Sequence, residues 1–178
     1  QKNHRFLIDI FNEVHKENEN SILLLAGQGP LMDEMKNKVI KLGLEDNVKF
    51  LGQRNDINEL YQAFDVFCLP SLYEGLPVVG IEAQATGLLC VFSDDMTKET
   101  KILDSTIFLS LDKNERDWAN AILKKVLENK RNSKYDEITY NGFNIKNEVL
   151  NLQKYYSAKY LDTVIHVVNS KIFSGLES

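Results

Sequence analysis

The chain has 178 residues, of which 43% are hydrophobic and 26% charged, enough apolar material for one well-cored domain and too little for two. Glycine (9) and proline (3) are too scarce for a collagen-like or linker-like chain. A formal net charge of -5 argues against sequence-independent nucleic-acid binding, but a small anion can still be held locally by backbone amides and one or two basic residues.

In chain order, Phe6, Leu7, Ile10, Phe11 and Val14 recur at helical spacing and predict a first helix that ends before Asn18. SILLLAG, closed by Gly27, reads as a short buried strand. Gln28, Gly29 and Pro30 form a turn, with Pro30 suited to the first position of a helix that runs from about Leu31 to Leu42 and stops at Gly43. NVKFLG is the next strand, followed by a loop at Gln53 to Asn55 and a short helix over 56–64. DVFCLPS is a strand, LYEGLP a loop, Val78 to Thr86 a helix stopped by Gly87, and LLCVFS a further strand. A short helix over Thr97 to Leu103, a last strand at IFLSL and an amphipathic helix over Glu115 to Glu128 follow, the last with Trp118, Ile122, Val126 and Leu127 on one face. Residues 134 to about 160 read as helical with a break near Gly142, and the tail VIHVVNSKIFSGLES carries no clear pattern.

Strands that are near-continuous apolar runs, alternating with helices, predict an α/β fold: a Rossmann-like parallel sheet with helices on both faces. Such sheets begin with a strand, whereas this pattern begins with a helix. The expectation is therefore a piece of a longer protein whose first, central strand is missing. No signal-peptide pattern and no apolar run of membrane-spanning length is visible. Cys68 and Cys90 lie in apolar runs without C-x-x-C spacing and read as buried, reduced thiols, in keeping with a cytoplasmic protein. His4, His15 and His166 do not pair at metal-ligand spacing, and Asp94 with Asp95 reads as a turn or cap, so no metal site is expected.

Ligands of open parallel sheets sit beyond the carboxyl ends of the strands, near helix N-termini. The loops that fall there are AGQGP, LGQRND, PSLYEGLP and VFSDD. The third is the richest. Glu74 lies in the loop, Glu82 eight residues later on the following helix, and Gly75, Leu76, Pro77, Val78 and Val79 turn the chain between them. Amides at such a turn can meet a phosphate, and a carboxylate on the helix can accept two hydrogen bonds from a sugar diol. Taken singly, each of these residues also has a plain structural role: Gly27 and Gly29 as a turn, Lys2 and Arg54 as surface charges, Asp65 as a turn residue.

Taken together, the order LLLAGQGP, VKFLGQRND, DVFCLPSLYEGLPVVGIEAQATG resembles the donor-binding C-terminal half of group-1 (family 4) retaining glycosyltransferases of the GT-B fold, capsular and exopolysaccharide type. The signature E-x7-E corresponds to Glu74 and Glu82, within P-S-x-x-E-G-x-P and E-A-x-x-x-G, and the likeness spans roughly residues 1 to 130. The resemblance implies that Glu82 bonds the ribose hydroxyls and that Glu74 acts at the transferred sugar. It also implies that Lys2 binds the diphosphate, that the amides of Leu76, Val78 and Val79 face the phosphates or the sugar, and that Gly75 belongs to the donor-binding set. Gly52, Gln53 and Arg54 would frame the base, and Gly27 with Gly29 would keep the cleft floor clear. An arginine that partners the lysine would lie upstream of Lys2.

The reaction so implied is sugar transfer with retention from a nucleotide-sugar, a UDP-sugar for preference, to a glycan or lipid-linked glycan acceptor in bacterial cell-surface polysaccharide biosynthesis. It needs no cofactor and no metal. The acceptor would be held by an N-terminal domain outside this sequence, so the chain alone is expected to be inactive. The expected location is the cytoplasm or the inner face of the membrane, with peripheral membrane association of the full-length enzyme. The expected organisation is a donor-binding domain over 1–130 with C-terminal helices and a tail over 131–178 packed on it. Two other readings are a sugar-nucleotide epimerase of the same fold, which the absence of a histidine near the site loops disfavours, and a non-catalytic nucleotide-binding or interaction fragment.

Overall fold

The structure, a computed structural model, describes residues 1–128 together with 149 and 150. The chain divides into two compact units, Gln1–Glu137 and Ile138–Ser178. The helical region expected beyond residue 134 and its tail lie outside the described residues, apart from Val149 and Leu150, which are helical.

The first unit alternates helix and strand in the predicted order. Its elements are α1 (His4–Glu17), β1 (Leu23–Ala26), α2 (Met32–Leu42), β2 (Val48–Gly52), α3 (Ile57–Ala63) and β3 (Val66–Leu69). They continue with α4 (Val78–Ala85), β4 (Leu89–Ser93), a 3-10 turn at Lys98–Thr100, β5 (Ile107–Leu109) and α5 (Glu115–Glu128). Among the described residues all three strand pairings are parallel, which bears out the α/β class. The strands form two sheets, however: β1 pairs with β2, and β3, β4 and β5 follow one another in a second sheet. No ladder joins β1 to β3.

The period-2 alternation of strand side chains explains how both faces are covered. On β4, Leu89 and Val91 pack with Ile10 of α1 and with Trp118 and Ile122 of α5. Cys90 and Phe92 point the other way, into a core with Tyr61 of α3, Ala83 of α4 and Met96. A third cluster joins Ile8 and Phe11 of α1 to Met35 and Val39 of α2 and to Val48, with Leu23, Leu25 and Phe50 packed against it. One helix, α1, therefore serves both sheets. Ile8 and Phe11 lie over β1 and β2, while Phe6, Ile10 and Val14 lie over β3 and β4, where Phe6 meets Trp118 edge-on at 5.7 Å.

Two local expectations are corrected. Pro30 does not open α2. Met32 N–H bonds back to Gly29 O at 3.2 Å, so Pro30 stays in the preceding turn and the helix starts at Met32. The segment from Thr97 to Leu103 is not a helix beyond one 3-10 turn. The Gln84 side chain takes the N–H groups of Ile102 and Leu103 at 2.9 and 3.1 Å, bonds that a continuing helix would have needed for itself.

Candidate functional site

The loops that follow the strands carry the candidate residues. At the end of β1 the chain turns at Gly27, whose φ of 124° lies in a region that L side chains rarely adopt. Its N–H reaches Gly52 O at 2.7 Å, which ties the ends of β1 and β2 together. A Cβ placed at Gly27 or Gly29 would meet no atom within 4 Å, so both positions border open space. Gln53 and Arg54 are exposed beyond β2. Arg54 is not a free cation: Nε donates to Asp56 Oδ1 at 2.8 Å and a second guanidinium N–H reaches Asp56 Oδ2. This fork holds the Asp56 carboxyl below its usual range and the Arg54 guanidinium above its own.

Glu82 sits on α4 with an exposed side, in a cleft of about 460 Å³ that it shares with Asn55, Ile57, Asn58, Tyr61, Ala85 and Thr86. The structure thus brings Glu82 together with Asn55, at the end of the loop after β2. Tyr61, on α3, is 3% exposed, and its hydroxyl lies 3.1 Å from Val79 O and 3.4 Å from Glu82 Oε2. Burial first, then the charge and hydrogen bond of Glu82, push the phenol well above its ordinary range. Tyr61 therefore remains a donor at any physiological pH, its single proton shared between Val79 O, the nearer acceptor, and the Glu82 carboxylate. Sequence reading missed it because an apolar-face tyrosine in a short helix carries no mark that sets it apart from core.

Glu74 is half-buried in the loop after β3, and Gly75 beside it is exposed. Around them Leu72, Tyr73 and Leu76 on the loop and Val78, the first residue of α4, are 58%, 68%, 45% and 64% exposed and form an apolar rim. Val79 is half-buried at the start of α4. The N-terminal residues adjoin this loop: Leu72 N–H donates to Gln1 O at 2.9 Å, and Gln1 Nε2 donates to Tyr73 O at 3.2 Å. Lys2, the next residue, is exposed.

Gln84 and Gly80 hold α4 in place. Gln84 is fully buried; its amide nitrogen donates to Gly80 O and Thr100 O, and its oxygen accepts from Ile102, Leu103 and Thr106. Gly80 lets α4 lie close on β4, since a Cβ there would stand 2.9 Å from Phe92 Cζ. At the strand ends Ser93 Oγ donates to Ser71 O, clamping β4 to β3 beside the Glu74 loop.

The comparisons with known proteins fit this arrangement. The family model described as glycosyl transferases group 1 matches residues 1–145. The chain belongs to that family. It is 42% identical over 124 residues to the putative glycosyltransferase EpsF of Bacillus subtilis, covering 69% of this chain and 32% of that protein. It is 32% identical over 164 residues to the UDP-Gal:alpha-D-GlcNAc-diphosphoundecaprenol alpha-1,3-galactosyltransferase of Escherichia coli, covering 88% of this chain and 42% of that one. Among solved structures, the pneumococcal O-GlcNAc transferase GtfA in complex with UDP and GlcNAc aligns with a TM-score of 0.72 at 20% identity, over 90% of this chain and 34% of that one. Anabaena Alr3699/HepE in complex with UDP aligns equally well, TM-score 0.72 at 20% identity, over 88% of this chain and 45% of that one. These likenesses bear out the Rossmann-like half of a GT-B fold. The chain spans a third to somewhat under a half of the length of these relatives. Among the described residues no helix is long and apolar enough to cross a membrane.

Proposed function

We propose that this chain is the donor-binding half of a glycosyltransferase that moves a sugar from a nucleotide-sugar, a UDP-sugar for preference, onto a glycan acceptor with retention, in the making of a cell-surface polysaccharide on the cytoplasmic side of the envelope. The observation that carries the reading is the cleft in which the Glu82 carboxylate, within reach of the Tyr61 hydroxyl, faces the loop after β2. In this reading Glu82 accepts the two ribose hydroxyls, because a fixed carboxylate can take both in parallel. Gly52, Gln53 and Arg54 border the base. The amides of Gly75, Leu76, Val78 and Val79 and the ammonium of Lys2 meet the diphosphate and the sugar, where helix-end donors and a cation favour the leaving charge. Glu74 bonds the transferred sugar and stabilises positive charge developing on it. Two of the structural neighbours were solved with UDP, which supports the choice of nucleotide.

Calorimetric titration of the chain with UDP and GDP tests this. UDP binds in the micromolar to millimolar range, Glu82→Ala weakens it about tenfold (about 1.4 kcal/mol), and Tyr61→Phe weakens it by a smaller factor. Absence of binding by either nucleotide at millimolar concentration, or an unchanged affinity in Glu82→Ala, refutes the donor-site assignment.

A further inference from the structure

We propose that the side chain of Asn58 reads the base of the nucleotide. Its carboxamide takes the imide edge of uracil in two parallel hydrogen bonds, Oδ1 accepting from N3–H and Nδ2 donating to O4. This rests on the ribose being held at Glu82, and goes beyond it by giving base recognition to a residue of α3.

The cleft sets the reach. Glu82 on α4 and Tyr61 on α3 meet in it, with the phenol oxygen 3.4 Å from Glu82 Oε2. Asn58 lines the same cleft. It precedes Tyr61 by three residues on α3 and so shares its side of the helix, about 5 Å nearer the helix start. That start follows the loop after β2, at the carboxyl end of the strand. A base is one ribose away from the diol that Glu82 would hold, and one helical turn covers such a span.

Most of the polar groups on the cleft wall are already spent. The single proton of Tyr61 is shared between Val79 O and Glu82, and Thr86 Oγ1 donates to Ala83 O at 2.8 Å. Arg54 is closed in its fork with Asp56 and does not line the cleft. Asn55 and Asn58 differ. Among the described residues neither carboxamide has a hydrogen bond within the chain, whereas Asn47 and Asn114 spend theirs on backbone groups. Asn55 lies in the loop, while Asn58 is carried by the helix, and a rigid element places a recognition group more closely than a loop does.

The rest of the wall suits a flat, neutral ring. Among the described residues no lysine or arginine lines the cleft, and Ile57 from α3 with Ala85 from α4 supplies apolar surface for the ring faces. A carboxamide holds an acceptor and a donor side by side in one plane. Uracil presents N3–H beside O4 in its own plane, so the two edges match, as asparagine matches two atoms of one base in nucleic-acid recognition.

Calorimetric titration of the 178-residue chain with UDP and with N3-methyl-UDP, in which a methyl group replaces the N3 proton, tests this. Methylation should weaken binding to the unsubstituted chain about tenfold, the loss expected for two neutral hydrogen bonds. Asn58→Ala should bind UDP about tenfold more weakly and should feel methylation by less than about twofold. Asn55→Ala should keep the full methylation effect. Asn58 is exposed, so the variant should unfold in urea at the same midpoint as the unsubstituted chain. A methylation effect that is absent from the unsubstituted chain, that survives in Asn58→Ala, or that is lost in Asn55→Ala overturns the proposal. Glu82→Ala separates this from the donor-site reading. If it weakens UDP while methylation costs the same with and without Asn58, the ribose assignment stands and the base assignment falls. If it leaves UDP binding unchanged, or if UDP does not bind at millimolar concentration, both fall together.

Discussion

Replacing Gln84 by Met keeps the length of the side chain and removes every polar atom from the hub that fixes α4. Five hydrogen bonds disappear, from 2.8 to 3.1 Å in length. They do not count equally. Gly80 O keeps its helical partner, the Thr106 hydroxyl can rotate, and Ile102 is near enough to solvent to recruit water. Two groups are left buried and unpaired: the N–H of Leu103, a residue 3% exposed, and the carbonyl of Thr100, at 0%. An orphaned buried polar group costs about 1–3 kcal/mol, so the loss is about 2–6 kcal/mol, a large share of the 5–15 kcal/mol that typically holds a domain together. Urea unfolding followed by far-UV circular dichroism measures it on the 178-residue chain, with the exposed Lys124→Met as a control that shifts nothing. Hydrogen exchange at Ile102 and Leu103 should quicken in parallel. A stability loss under about 0.5 kcal/mol with an unchanged denaturant slope refutes the reasoning, since it would mean that the loop finds other partners without cost.

Gly80→Ala should cost about 1–3 kcal/mol by overpacking, because the new Cβ would meet the fully buried Phe92 ring at 2.9 Å; adding Phe92→Leu should return part of the loss, and a neutral single variant would show that α4 can shift freely. Burial pushes the Cys68 thiol up to about 12 and raises Cys90 further. At pH 8 the native thiols therefore stay protonated, and Ellman's reagent should react at less than about a tenth of the rate seen in urea; equal rates would contradict it. The same shifts carry a sign for stability. Above about pH 9 the unfolded chain loses its thiol protons before the native one does, so stability falls as pH rises, and Cys90→Ala should flatten that limb of the unfolding curve.

Nearly every strand and helix of the first unit was legible because each is written in one clear period. LLLA, VFCL and LCVFS are continuous apolar runs bounded by turn residues, and α1, α2 and α5 repeat at three and four residues. What escaped the sequence depends on single side chains whose partners are distant along the chain. Gln84 looks like an ordinary polar residue on a helix that bears Glu82. Only the fold shows that it faces inward and captures the amides of Ile102 and Leu103, eighteen and nineteen residues away, thereby ending the helix expected at Thr97. Tyr61 is hidden for the same reason, since its contact with Glu82 crosses from α3 to α4.

The candidate site divides along the same line. Glu74 and Glu82 were visible as a spacing, and Gly27 as the residue that closes a strand. What spacing cannot carry is which of these share a cavity. Glu82 joins Asn55 in one cleft because α3 and α4 pack together over the face of β3 and β4, with Tyr61 and Ala83 in a common core. The position of α4 in turn rests on Gly80 against Phe92 and on the Gln84 hub. The geometry of Glu82 is therefore inherited from residues two positions to either side of it that have no contact with the cleft. A defect at Gly80 or Gln84 should consequently appear first as instability and, through the tilt of α4, as weakened nucleotide binding. Tyr61→Phe, which leaves the α4–β4 contact intact, should weaken binding with little change in stability.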